Sequence, residues 1–214
     1  MSISDLLLQL EQYAGYLQLR HPLTILEETR DPWPIGVATI LSAHCTDAAV
    51  NGAVPRFLQN FPTPDSVVGK TRDHLVRWLR GISHGGVKSD YILGWASYLR
   101  EKKGNIDPSI TSLTRIRGIG RKTAAIILYR VKGLDEGLPL DIHALRVLDR
   151  LGWLPKTKNP SVREKQLLQI IPEGRRHRLH LILTHHGRLV CHAQKPDCNA
   201  CKLRSVCNFA CAPP

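Results

Sequence analysis

Apolar side chains recur at i, i+3, i+4 and i+7 along most of this 214-residue chain, and no stretch alternates apolar with polar for long enough to argue for a strand. The period predicts helices over Ile3 to Gln18, Pro34 to Ala43, Asp47 to Gln59, Thr71 to Gly81, Ser89 to Arg100, Pro108 to Arg115, Arg121 to Val131, Ile142 to Leu151, Val162 to Ile170 and Arg175 to His186. Turn chemistry separates them at Pro62-Thr-Pro-Asp65, His84-Gly-Gly86, Gly118-Ile-Gly120 and from Gly133 through Pro139. An all-α fold is expected. The period stops after Leu189, and five of the six cysteines fall between Cys191 and Cys211, so something other than a hydrophobic core is expected to hold that tail.

Composition fits an ordinary globular chain, with 43% hydrophobic and 22% charged residues, which sets aside the disordered, collagenous and disulfide-stapled classes. The longest apolar run, Ala124 to Tyr129, is far short of the roughly 18 residues a membrane span needs. Asp5 and Glu11 interrupt the N-terminal leucines, and no basic leader or small-residue cleavage site is present. A cytoplasmic protein is expected. Thirty Lys and Arg against eighteen Asp and Glu give a net charge of +12, which favours an anionic partner, nucleic acid first. The basic residues are spread along the chain, with local groups at Arg115, Arg117, Arg121 and Lys122 and at Arg175 to Arg178. For each group alone, a solvated helix end is an equally good reading.

Cys191, Cys198, Cys201 and Cys207 are spaced C-x6-C-x2-C-x5-C. Four soft ligands within one loop suit an iron-sulfur cluster or a zinc ion. Structural zinc more often uses two short C-x2-C knuckles, and only one pair here is that close, so a four-iron cluster is favoured. Two disulfides are disfavoured in a cytosolic chain. Cys211 and Cys45 lie outside the pattern and read as a free thiol and a small buried hydrophobe.

From Leu113 to Ala125 a helix ends at a Gly-x-Gly hairpin and a second helix starts at once. Glycine permits positive φ and close backbone approach, and the first N–H groups of the following helix have no intrahelical partner. Such a hairpin can grip a DNA phosphate without reading sequence. Lys122 stands in the first turn of the second helix, where the helix dipole already disfavours a cation. Only about one lysine in 2,500 is neutral at pH 7, so a nucleophilic lysine must give up about 3 to 4 kcal/mol of preference for the ammonium. The helix start, Arg121 and partial desolvation all act in that direction; a plain phosphate contact is the simpler reading. Asp141, between the extended Leu138-Pro-Leu140 and an apolar helical period, reads as a helix N-cap. A carboxylate held charged in that way can stabilise a developing sugar cation.

With these pieces assembled, the chain resembles the endonuclease III family of helix-hairpin-helix DNA glycosylases over nearly its full length. Leu41-Ser-Ala-His-Cys-Thr-Asp-Ala-Ala-Val-Asn51 is similar to the family's L-S-A-Q-x-T-D-x-x-V-N segment, and Arg117-Gly-Ile-Gly-Arg-Lys-Thr-Ala124 to its P-G-V-G-R-K-T-A hairpin. Leu140-Asp-Ile-His143 is similar to V-D-T-H, and the cysteine spacing matches the family's [4Fe-4S] loop. The resemblance implies two helical domains, a six-helix bundle with the helix-hairpin-helix (24–133) and a cluster domain built from both termini (1–23 and 134–214). It makes Lys122 the Schiff-base lysine and Asp141 the catalytic aspartate. It also implies that double-stranded DNA is the partner, gripped through Arg117, Gly118, Gly120, Arg121 and the loop lysines Lys195 and Lys202, by a nucleoid-associated monomer. Three departures bear on substrate choice. His44 stands where the family has a glutamine that enters DNA near the estranged base, Arg117 replaces the hairpin proline, and Gly81 to Ser89 is longer than the family's G-L-Y-N-S-K-A stretch. Ile82 or His84 is the wedge in its place.

Asp47, read as an N-cap, and His143 are candidates for the pocket; for His143, His185 and His186 a satisfied core histidine is an equally good reading. The expected activity is removal of damaged, oxidised pyrimidines followed by abasic-site cleavage. The alternatives are a monofunctional thymine, uracil or adenine glycosylase, in which water attacks, and a non-catalytic iron-sulfur DNA-binding module. Lys122 argues against the first, and the second would need no nucleophile.

Overall fold

Side-chain caps at Asp31, Thr46, Thr71, Asp141 and Asn159 fix the starts of five helices. The structure is a computed structural model in which residues 10–12, 19, 21–153, 157 and 159–210 are described. Among them the regular structure is entirely helical. Two compact units form, one from His21–Glu136 and one from Met1–Arg20 with Gly137–Pro214.

The continuous unit opens with the short α1 (Ile25–Glu28) and continues with α2 (Pro32–Ser42), α3 (Asp47–Asn60), α4 (Arg72–Val76), α5 (Gly85–Glu101), α6 (Ile110–Leu113) and α7 (Arg121–Lys132). Asp31 caps α2 by accepting from the Trp33 N–H, Thr46 caps α3 and Thr71 caps α4. Each such cap is worth about 1 kcal/mol. Their apolar faces meet around Trp33, Phe57, Ile92, Trp95, Leu113 and Ile127, all essentially without solvent exposure. Burying a side chain of this size contributes about 1.5 to 3 kcal/mol.

The second unit contains α8 (Ile142–Leu151), α9 (Pro160–Leu168) and α10 (Arg176–Leu189), followed by the cysteine loop with one 3-10 turn over Arg204–Val206. Leu10, in the helical 10–12 segment, packs with Leu148, Leu167, Leu183 and Leu203. The rest of the expected Ile3 to Gln18 helix lies outside the described residues, as does Cys211.

Several expectations need correction. The Thr71 to Gly81 period holds a helix only to Val76; Trp78 and Leu79 then donate to carbonyls three residues back, a tighter winding that buries Leu79 beside Leu75. Pro108 to Arg115 shrinks to one turn, because Ser109 is extended. α5 starts earlier than expected: Gly85 and Gly86, read as a break, form its first turn, and the Ser89 hydroxyl donates to the Gly85 carbonyl at 2.8 Å. The cysteine tail does reach a core, through Leu203 and Cys207.

Candidate functional site

The hairpin between α6 and α7 is built by local bonds. Ile116 N–H donates to the Leu113 carbonyl at 3.1 Å and Ile119 N–H to the Ile116 carbonyl at 3.0 Å, while the Ile119 side chain is 3% exposed and anchors the turn in the core. Gly118 has φ +88°, and a Cβ there would lie 2.1 Å from Tyr91 Cγ, so its glycine is required twice over. Gly120 differs from expectation: its φ of −83° suits any residue, and nothing lies within 4 Å of a Cβ built there. Its bareness leaves the start of α7 without a side-chain cap and open to approach. Arg117, Gly118, Gly120, Arg121 and Lys122 are all exposed on this one turn, with the Arg117 guanidinium 5.9 Å from the Tyr91 ring centroid. Lys122 is presented to solvent in the first turn of α7.

A second exposed tip belongs to the same unit. His44 and His84 both have left-handed backbone, φ +55° and +58°, and their rings meet edge to face at 6.3 Å between centroids. Ile82, offered with His84 as a wedge, is instead 8% exposed and packed in the core, so of the two only His84 is presented to solvent. Asp47 is also corrected. Thr46 is the N-cap, its Oγ1 accepting from Ala49 N–H at 3.3 Å, and Asp47 follows as an acid in the first turn, where it suits the helix dipole.

Cys45, assigned no role from sequence and read as a buried hydrophobe, is half-buried, and its Sγ accepts from Ser83 N–H and from Lys88 Nζ, each at 3.2 Å. Burial alone would raise this thiol, but the Lys88 and Ser83 hydrogen bonds together lower it below the ordinary cysteine value. The sequence carried one signal for Lys88: it stands on the face of α5 that buries Ile92, Trp95 and Leu99, an unusual place for a cation.

At the start of α8, Asp141 is extended and its Oδ1 accepts from Ala144 N–H at 2.7 Å, the capping geometry expected. His143 follows, half-buried, with Nδ1 3.2 Å from Arg146 Nη2 and its backbone against Gly187 of α10, where a Cβ would meet the His143 carbonyl oxygen at 2.9 Å. Burial pulls the imidazole below its ordinary value; the Asp141 charge opposes this, and Arg188 and Arg146 reinforce it.

The four loop cysteines line one small, partly open cavity together with Val147, Leu151 and Pro196. Burial raises the Cys201 thiol, and the nearby thiols of Cys207, Cys191 and Cys198 raise it further. Among the described residues, no three His, Cys, Asp or Glu side chains converge on a point as ligands of one ion do. Two arginines of α8, four residues apart and not singled out by sequence, hold this loop. Arg146 donates to the carbonyls of Gly187 (2.5 Å) and Cys191 (2.9 Å). Arg150 donates to Cys191 Sγ (3.1 Å) and to the carbonyls of His192 (2.6 Å) and Ala193 (3.0 Å), with its guanidinium 4.5 Å from the Phe209 ring centroid. Their i, i+4 spacing was the available signal. His186, buried beneath the loop and lowered by that burial to about 4, places Nε2 3.6 Å from Cys201 Sγ. Lys195 and Lys202 are exposed on the loop's outer side.

The chain is similar to known proteins in sequence and in fold. Residues 37–173 match the model of the HhH-GPD superfamily base excision DNA repair protein. Endonuclease III of Rickettsia felis is 32% identical over 174 residues, covering 81% of each chain, and that of Synechocystis sp. is 32% identical over 180 residues, covering 84% of this chain and 82% of the relative. A solved structure of a trapped endonuclease III–DNA covalent intermediate, an estranged-adenine complex, aligns with a TM-score of 0.87 at 27% identity, over 98% of this chain and 97% of that one. An all-helical chain with a lysine-bearing hairpin, a capping aspartate and four cysteines around one cavity thus belongs to the HhH-GPD superfamily of base-excision DNA repair proteins.

Proposed function

We propose that the protein is a DNA glycosylase with abasic-site lyase activity on duplex DNA carrying an oxidised pyrimidine, acting in the cytoplasm at the nucleoid as a monomer. The observation that carries this reading is Lys122 itself, exposed in the first turn of α7 behind an uncapped, sterically open Gly120. The hairpin N–H groups and Arg117 and Arg121 bind backbone phosphates, and Lys195 and Lys202 add contacts of the same kind. His44 and His84 enter the duplex as the damaged nucleotide is rotated out, since its anomeric carbon is shielded while stacked.

In the chemical step the neutral Lys122 amine forms a bond to C1′ as the bond from C1′ to the base breaks, and the base leaves with that electron pair. Asp141, oriented at the start of α8 by the Ala144 N–H, stabilises positive charge on the sugar. Ring opening gives a Schiff base. Loss of a C2′ proton then expels the 3′ phosphate, which cuts the strand. Because DNA covers the exposed lysine, the desolvation that favours the free amine arrives with the substrate.

Cys191, Cys198, Cys201 and Cys207 would hold a [4Fe-4S] cluster. Their C-x6-C-x2-C-x5-C spacing has only one short C-x2-C pair, where structural zinc more often uses two, and four soft thiolates in one loop suit an iron-sulfur cluster. Such a cluster would offset the mutual repulsion of the four clustered thiolates and hold the loop that carries Lys195 and Lys202.

The test is incision of labelled duplexes, each with one oxidised, deaminated or mismatched base or an abasic site, with half of every reaction treated with hot alkali. Strand cleavage without alkali on an oxidised pyrimidine is expected. Cleavage only after alkali would replace the reading with a monofunctional glycosylase, and binding without cleavage with a DNA-binding module.

A further inference from the structure

We propose that Lys88 is a positioning residue that sets the His44–His84 tip for entry into DNA; this rests on the reading of that tip as the inserting element. Lys88 is 4% exposed, and its ammonium lies 2.9 Å from the Leu41 carbonyl, 2.5 Å from the Ala43 carbonyl and 3.2 Å from Cys45 Sγ. An ammonium has three N–H donors, and these acceptors use all of them. The two carbonyls end α2, where carbonyls lack helical partners and the dipole is negative, so the buried cation is compensated without a carboxylate. Its main-chain N–H meanwhile donates to the His84 carbonyl at 3.0 Å, and Cys45 Sγ accepts from Ser83 N–H at 3.2 Å.

One residue therefore ties together the turns that carry both histidines. The left-handed conformation at His44 and His84 is disfavoured at a residue with a Cβ and persists only where surrounding structure enforces it. Lys88 is the shared fastening beneath the two strained positions, while both imidazoles stay at the surface. Losing it frees the 42–46 and 81–84 turns to relax independently, which degrades opening of the duplex before it degrades chemistry at a sugar already exposed.

The experiment uses the full chain with Lys88→Met, which keeps the length and apolar stem, Lys88→Arg, which restores a donor, and Cys45→Ala as an independent cut through the same knot. One probe is a duplex with a tetrahydrofuran abasic analogue opposite 2-aminopurine, whose fluorescence rises when an inserted side chain unstacks it; this needs no turnover. Lys88→Met is expected to melt as a folded protein, lose most of that rise and slow single-turnover base excision about tenfold, the effect of one lost charge-assisted hydrogen bond. Strand cleavage at a preformed abasic site changes by less than about twofold, because that substrate has no damaged base to extract. Lys88→Arg recovers the fluorescence rise, and Cys45→Ala loses part of it. A folded Lys88→Met with wild-type fluorescence and excision, or one in which excision and abasic cleavage fall together, would overturn the proposal, as would a wild type that produces no rise. A wild type with a normal rise but neither excision nor abasic cleavage would instead remove the glycosylase reading and leave the positioning role intact.

Discussion

Gly118 rests directly against Tyr91, so closely that a Cβ at 118 would stand 2.1 Å from Tyr91 Cγ and 2.3 Å from Cδ2. The hairpin that carries Lys122 thus has its path set by a ring on α5. Gly118→Ala combines this overlap with a φ of +88° and is expected to cost about 2 to 4 kcal/mol, read as a lower denaturant midpoint and weaker binding to duplex DNA. Adding Tyr91→Ala should recover the steric part and leave the backbone part, so a double-mutant cycle showing no coupling would contradict the packing described.

Lys122→Gln and Asp141→Asn separate chemistry from folding. Asparagine is as good an N-cap as aspartate, so the Asp141→Asn melting temperature should stay within a few degrees of wild type while excision falls by about 100-fold or more. Lys122→Gln should retain DNA binding and lose both strand cleavage and the covalent adduct trapped by borohydride. Normal strand cleavage by Lys122→Gln would end its assignment as nucleophile.

Arg150 holds Cys191 Sγ, two carbonyls of the cysteine loop and the Phe209 ring at once. Arg150→Met is expected to shorten the lifetime of the proposed iron-sulfur chromophore, followed as bleaching of absorbance at about 400 nm in the presence of a chelator. Lys195→Ala serves as the control on the same loop; it should bleach at the wild-type rate and weaken DNA binding in a salt-dependent way.

His143 gives a pH prediction. Its imidazole is lowered in the folded chain, chiefly by burial, so the unfolded chain takes up the proton first as pH falls. The contribution to stability is therefore complete above the ordinary histidine value of about 6.5 and is lost as pH falls through the lowered folded value. Replacing His143 with Asn should flatten the decline in unfolding free energy as pH falls below about 6.5. A variant with the wild-type slope would show that other groups carry it.

The placement of Lys122 in a first turn, of Asp141 as a cap and of four cysteines around one loop was legible from sequence because the signals are local: a helix start, a cap acting three residues ahead, a spacing within one loop. The helical class was legible for the same reason, since the 3.6-residue period records which face is buried without saying against what. Thr46 against Asp47 shows the limit even locally. Both are good caps, and the backbone chose between them by extending at 46.

Tertiary structure decided the rest. Lys88 reaches carbonyls more than forty positions away, Arg150 fastens a loop a similar distance along the chain, and Ile82 is buried where sequence offered it as a wedge. Each depends on which helix packs on which. A hydrogen bond to a distant carbonyl leaves no periodic trace in sequence, because any exposed or buried carbonyl along the chain presents the same chemistry, and only packing selects one.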